Sequence, residues 1–461
     1  MLRKMGKVLG ILLPILLLIS ACATTPEAPA AEQPAPAPAE TPAETPAETP
    51  AQEVTAEEPP EPVTIQFFHG EGMEERIQAI QSIIDSFMSK NPHITVEQLP
   101  ATDDAFDIRI VTYIASGNVP AVVSGGSSDI LFMYEEGVID TAAAISVIDN
   151  HGRNEFFDNV LNFVYTADGE AIGVPVSGWV GGIWYRTDIF EEHGLASPTT
   201  WENILTAART IHDPANRMYG IMIATSEDAF TQQTLSQIAL SNGALLFDSD
   251  GRPIFDSPEM REAIEFYREL YQYSLPGSND ALVVRDAMVG GNTAMATFST
   301  FILFRLYEAD LAPYIGFAIP ENVQPATMGS IAVKGISNTI SPAEREAAKA
   351  FTAYLLTDEA NLTWLHMAPG GPQPVLRSVA QHPDYATTPV LEAFSEIARD
   401  IPEAMNVLTM FGVQDGTTHP NVGSILASFV IARAINQITV QGADIDATIE
   451  WAQREIEGMV G

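Results

Sequence analysis

Few groups in this chain stand at a spacing that could make or break covalent bonds. The eight histidines are scattered, and no His-Glu-x-x-His arrangement puts two imidazoles on one helix face for zinc. No Gly-x-Ser-x-Gly turn exposes a nucleophilic serine, and no Gly-x-x-x-x-Gly-Lys-Ser/Thr loop cradles a phosphate. Carboxylates are abundant, so an Asp and a Glu meeting in a cleft could hydrolyse a glycoside; sequence leaves that open. The stretch Ser-Gly-Gly-Ser-Ser-Asp (Ser124–Asp129) follows a strand-like segment and offers free backbone amides and two hydroxyls, Ser127 and Ser128. Such a stretch either holds a ligand hydroxyl or an anion, or is a plain turn. The single cysteine excludes an internal disulfide and any cysteine-based metal cluster. No catalytic residue, metal or cofactor is expected: the chemistry points to binding.

Composition narrows the ligand and the place. With 461 residues, 46% of them hydrophobic, the chain can form two domains and a sizeable core. Its formal net charge of −38 repels polyanions, which excludes nucleic acid as a partner. So acidic a surface is either simply well solvated or adapted to high salt. Arg3, Lys4 and Lys7 precede an apolar run from Val8 to Ile19, too short for the roughly twenty residues that a membrane span needs. That pattern reads as a secretory signal over residues 1–21. Ile19-Ser20-Ala21-Cys22 resembles the lipobox of bacterial lipoproteins, which implies a diacylated Cys22 anchored in the cell membrane on its extracytoplasmic face. Residues 22–62 then read as that lipidated cysteine and a disordered tether. Ala23 to Pro62 is rich in Pro, Ala, Thr and Glu and buries too little apolar surface to fold, so it would hold its cargo up to about 100 Å from the lipid.

The folded cargo is expected over residues 63–461. Val-Thr-Ile-Gln-Phe-Phe from Val63 reads as a strand, and Ile77, Ile80, Ile84 and Phe87 at helical spacing read as a helix stopped by Asn91-Pro92. His-Ile-Thr-Val-Glu-Gln-Leu follows as a second strand, completing a βαβ unit and implying a parallel sheet with helices on its faces. Ala171–Val176 and Tyr219–Ala224 read as further strands. Thr200–Ile211 and Ser257–Tyr271 read as helices, the latter with Ser257 as N-cap and Pro258 at N1. The C-terminal third reads as helical at Pro342–Leu356, Ser424–Ile438 and Asp446–Gly458. The fold class is therefore α/β.

Five stretches, in order, resemble the family 1 extracellular solute-binding proteins of ABC importers, the group of the maltose-binding protein. They are the opening Thr-Ile-Gln-Phe-Phe-His-Gly with its helix and second strand, the segment Val174–Ile211 containing Tyr185-Arg186-Thr187-Asp188, the segment Ala287–Phe301, the helix Ala347–Leu365 leading to Gly370–Val379, and the C-terminal helices. The resemblance covers nearly all of Val63 to Val460. It implies a two-lobe periplasmic-binding-protein-like type II fold, each lobe a mixed sheet flanked by helices, with a ligand cleft between them. Lobe limits on this basis are 63–172 plus 328–378, and 173–327 plus 379–461.

The same resemblance implies a function and a site. It implies a monomeric binding protein, not an enzyme, that hands a mono- or oligosaccharide to an ABC permease and its ATPase subunits. Relatives of this architecture also carry polyamines, phosphodiesters and metal ions. By match to family positions the ligand would meet His69, Gly70 and Glu71 after the first strand, Trp179 before the Tyr-Arg-Thr-Asp element, and Phe301, with Ser127 and Ser128 as hydroxyl donors. Flat aromatics beside polar groups suit a sugar, whose CH faces alternate with hydroxyls. Each assignment has a plain structural counterpart, with His69 a loop residue and Phe301 core packing. Trp184, Tyr185 and Trp201 are expected in the core.

Overall fold

The structure, a computed structural model, describes residues 61–414 and 416–460. Cys22, the signal and all but the last two residues of the tether lie outside the described residues. The βαβ opening forms as expected: strand β1 (Val63–His69), helix α1 (Glu74–Lys90) and strand β2 (Ile94–Pro100), with β1 and β2 parallel in register from Val63↔Ile94 to His69↔Pro100. Helix α1 buries Ile80, Ile83, Ile84 and Phe87, the stripe that its spacing predicts. Helix α2 (Asp103–Ser116) leads to strand β3 (Val122–Gly126), parallel to β1, and then directly to helix α3 (Ser127–Glu135).

Beyond β3 the sheet turns antiparallel. Strands β4 (Val174–Arg186), β5 (Met295–Ser299), β6 (Ile315–Ala318) and β7 (Thr327–Ile336) complete the order β2-β1-β3-β7-β4-β5, with β6 paired to β4. Two short strands, β8 (Gln373–Pro374) on β4 and β9 (Leu408–Thr409) on β7, bring the curled sheet to nine. Only the β1–β3 portion and the β7–β9 pair are parallel, so the expectation of a parallel sheet holds for the opening unit alone.

Strand β4 is the joint. Its first half, through Val180, pairs with β7, and from Gly181 onward it pairs with β5 and β6. Neighbouring side chains then enter different cores, Ile183 one and Trp184 the other. Gly181 and Gly182 sit at the changeover, where a Cβ on Gly182 would collide with the Phe317 ring and one on Gly181 with Met328. Only glycine admits that approach.

Two hydrophobic cores result. One gathers Phe67, Phe68, Phe87, Ile130, Ile331, Phe351 and Trp364; the other gathers Ile204, Leu235, Phe255, Ile264, Ile435 and Ile449. This is the two-lobe arrangement, and Trp184 and Trp201 are buried as expected, with Tyr185 packed at the edge of the second core. The cores differ from the lobe limits read in sequence. Val379, Leu391, Met405 and Leu408 pack in the first core, and so do Phe298 and Leu303, so the last passage into the second comes near Phe411 and Val422. Short apolar helices carry no mark of which core they will join.

Three local readings change. Tyr219–Ala224 forms single bridges at Tyr219 and Met222 rather than a strand. The strand expected at Ala171–Val176 starts only at Val174 and runs on to Arg186. The expected helix Ser424–Ile438 is two helices, Val422–Ala427 and Val430–Thr439, parted by Phe429 at φ 55°. By contrast Ser257 caps its helix by accepting from Met260 N–H at 3.2 Å, with Pro258 in the first turn.

Candidate functional site

The parallel strands β1 and β3 end side by side, and their carboxyl ends deliver Gly70, Glu71, Ser124, Gly125 and Gly126 to one rim. Open α/β sheets bind ligands beyond that edge. Here the rim faces an inner cavity of about 380 Å³, within the range of small-molecule pockets. Its aromatic surfaces come from four places: Phe106 on α2, Trp179 on β4, Phe301 just after β5, and Trp364 on the helix Asp358–His366. Polar groups between them are Glu71, Arg76, Asp107, Asp129 and Ser330.

An outer cavity of about 990 Å³ opens from the first, and Asp107, Asp129, Trp179 and Ser330 line both. One wall carries Ile110, Val111, Ser127, Ser128 and Phe132 from α2 and α3. The opposite wall carries Gln232, Gln233 and Ser236 from the helix Ala229–Ser241, with Leu426 and Phe429 further along the chain. The walls belong to elements of different cores, so the cleft lies between the lobes.

Each side chain has a reason for its place. Phe106 stacks on Phe68 of β1 with ring centroids 5.0 Å apart. Trp364 donates its Nε1–H to Ser177 Oγ at 3.0 Å. Arg76 pairs with Glu71 at 2.6 Å, half-buried on both sides, which leaves the cavity without a free cation from that pair. Asp129 Oδ2 accepts from Gly126 N–H at 2.8 Å. Burial, with a smaller contribution from the charge of Asp107, pushes the Asp129 carboxyl above its usual range.

The structure brings together most of the expected site residues. Gly70, Glu71, Trp179 and Phe301 line the inner cavity, and Ser127, Ser128 and again Trp179 line the outer one. Phe301 is 44% exposed, against the core alternative. His69 is the correction. It lines neither cavity and is fully buried, with Nδ1 accepting from Glu71 N–H at 3.2 Å. As the last residue of β1 it follows two fully buried phenylalanines and packs beside Phe67. Burial first, and the charge of Lys334 second, hold its imidazole down at about 4, so it is neutral.

Four lining residues have no counterpart in the sequence reading: Phe106, Asp107, Trp364 and Ser330. Ser124 and Asp129 fall within the Ser-Gly-Gly-Ser-Ser-Asp stretch, but these four carry no local signature. Beneath the floor lies a fully buried lysine, Lys334 on β7, which donates to Ser124 Oγ at 2.6 Å and stands 3.9 Å from the centre of the Trp364 ring. Among the described residues no cluster of three His, Cys, Asp or Glu side chains is placed to hold a metal, and no helix is long and apolar enough to cross a membrane.

Comparison with known proteins gives concordant results. Residues 70–362 match the family model described as bacterial extracellular solute-binding protein. The chain is 34% identical over 399 residues to the putative ABC transporter periplasmic-binding protein YcjN of Escherichia coli, covering 86% of this chain and 93% of that one. Its fold is similar to a solute-binding protein of Thermotoga lettingae bound with alpha-D-tagatose (TM-score 0.66, 20% identity, 86% of this chain and 100% of that). It is likewise similar to maltose-bound MalE3 of T. maritima (TM-score 0.68, 20% identity, 86% and 99%).

Proposed function

The chain belongs to the bacterial extracellular solute-binding proteins of ABC transporters, and we propose that its solute is a carbohydrate or a sugar alcohol. We propose further that it delivers this solute to an import permease while anchored through an acylated Cys22 to the outer face of the cell membrane. The observation that carries the ligand class is the inner cavity, whose lining joins the rings of Phe106, Trp179, Phe301 and Trp364 with Glu71, Asp107, Asp129 and Ser330. Aromatic faces take the CH surfaces of a pyranose, and the carboxylates and hydroxyl take its OH groups. Gly70, Glu71, Ser127, Ser128, Trp179 and Phe301 are proposed as ligand contacts. That solved neighbours hold alpha-D-tagatose and maltose supports the same class.

One observation favours a second ligand class. Asp107 and Asp129 have no cationic partner among the described residues, which suits a polyamine and opposes a phosphodiester. Isothermal titration with D-tagatose, maltose, D-mannitol and spermidine, with product analysis of each mixture, separates the readings. Saturable binding of a sugar or polyol without turnover is expected. Binding of spermidine alone would move the assignment to polyamines, and hydrolysis of a glycoside would make the protein an enzyme.

A further inference from the structure

Lys334 sits where a cation is costly. It is fully buried on β7, paired in the sheet with Ser124 of β3 on one side and Val174 of β4 on the other. No carboxylate bonds to it; among the described residues its one hydrogen-bond partner is Ser124 Oγ, at 2.6 Å, and its one aromatic contact is the Trp364 face. The one charge that bears on it is that of Glu71, itself paired with Arg76; His69, at the end of β1, also titrates but is neutral, held down in part by Lys334. The neighbours from β3, β4 and the helix Asp358–His366, namely Ser124, Val174 and Trp364, do not titrate. Ser124 and Trp364 are also the two of these that line the inner cavity. The lysine therefore touches the site through both of its own partners while staying out of the cavity itself.

Given the sugar-binding reading above, we propose that Lys334 is a positioning residue that sets the hydrogen-bond polarity of Ser124 toward the ligand. A hydroxyl has one hydrogen to give and two lone pairs to receive with, whereas an ammonium only gives. With the ammonium bound to a lone pair of Ser124 Oγ, the Ser124 hydrogen has no acceptor in that direction and is turned to the cavity as a donor. When the ammonium loses a proton to water, its nitrogen gains a lone pair. Ser124 can then donate to the amine, which leaves only lone pairs for the ligand. The same serine is thus a donor to a ligand oxygen in one state and an acceptor from a ligand hydroxyl in the other. Burial, eased by the charge of Glu71, brings the Lys334 ammonium down to about 7, so both states are reachable near neutral pH.

Two measurements test this, one without any ligand. The chain contains five lysines, so a full-length protein labelled at lysine 13Cε gives few resonances, and Lys334→Met identifies the one sought. That resonance should titrate near neutrality, and Ser124→Ala, which removes the oxygen receiving the ammonium, should move its midpoint lower. A midpoint in the ordinary lysine range, or one indifferent to Ser124→Ala, overturns the proposal. In the second measurement D-tagatose and maltose are titrated calorimetrically into wild type, Ser124→Ala, Lys334→Met and the double variant at pH 5.5 and 9. Each single variant should weaken binding about three- to tenfold, the worth of one directed hydrogen bond. The double variant should be no weaker than the worse single one, and the wild type's pH dependence should vanish in both singles. Lys334→Met folded by circular dichroism yet binding like wild type, with the same pH dependence, overturns it. If neither sugar binds wild type, the sugar reading fails separately, and the lysine titration in the free protein still decides whether Lys334 governs Ser124.

Discussion

Trp179 and Phe301 offer their rings to the cavity rather than to a core, Phe301 being nearly half exposed and Trp179 half-buried on the wall common to both cavities. Truncating either to Ala should weaken binding of a cognate sugar by about 1–3 kcal/mol, the worth of a buried aromatic contact, and should leave the melting temperature of the free protein nearly unchanged. Calorimetry and a thermal melt on the same samples check both halves. Lys334 behaves oppositely. Its folded-state value of about 7 lies below the ordinary 10.5, so between those limits the unfolded chain binds a proton that the folded chain does not, and stability rises with pH across that window. Below it the charge stays buried at a cost. Lys334→Met should therefore be more stable than wild type at pH 6, by at least about 1 kcal/mol, with an advantage that shrinks from pH 7 toward 10.5. An equal or lower melting temperature for the variant at pH 6 would show that the lysine is better solvated than its burial indicates.

At the scale of elements, β4 carries the argument, because one strand serves both cores and its glycines let it do so. Gly182→Val would drive a side chain into Phe317 and should cost about 1–3 kcal/mol or more by overpacking, measured as a lower denaturation midpoint. A neutral result would mean that β6 yields easily and that the joint is loose. Elements fixed by local physics were legible in the sequence. The stripe Ile80, Ile84, Phe87 gave α1, Ser257-Pro258 gave a capped helix start, and the parallel βαβ opening followed from strand and helix lengths. Elements fixed by distant contacts were not. Tyr219–Ala224 has strand-like residues but finds only isolated bridges to Thr293 and Ala296, and nothing near Phe429 announces its left-handed turn. The site divides the same way. Glu71, Trp179 and Phe301 were reached by position in a family pattern, whereas Phe106 and Trp364 enter the cavity only because α2 and a helix some 250 residues later pack beside the same strand ends. His69 was misjudged because the residue that ends a strand and the residues that leave it look alike in sequence.

For the whole molecule, the proposed anchor and the cleft are tested separately. If Cys22 is the anchor, Cys22→Ala should release the protein in soluble form from cells that otherwise hold it in the membrane fraction; retention of a processed variant there would count against lipidation. The cleft concerns motion. Its outer walls face each other with apolar side chains still in water, Val111 and Phe132 from one lobe, Phe429 from the other, exposed by 54%, 39% and 38%. A ligand that touches both lobes favours whichever state brings more of its surface into contact, and closure would bury these rims as well. A permease can then tell loaded from empty protein by shape. The central claim, that this is a two-lobed binder closing on a sugar, is tested most directly by small-angle scattering on the Pro59–Gly461 unit with and without a sugar shown to bind. A fall in radius of gyration of roughly 1 Å on saturation, a hinge-scale change, is the predicted result. Tight binding with superimposable scattering curves would contradict it, since a rigid pocket gives the permease nothing to distinguish.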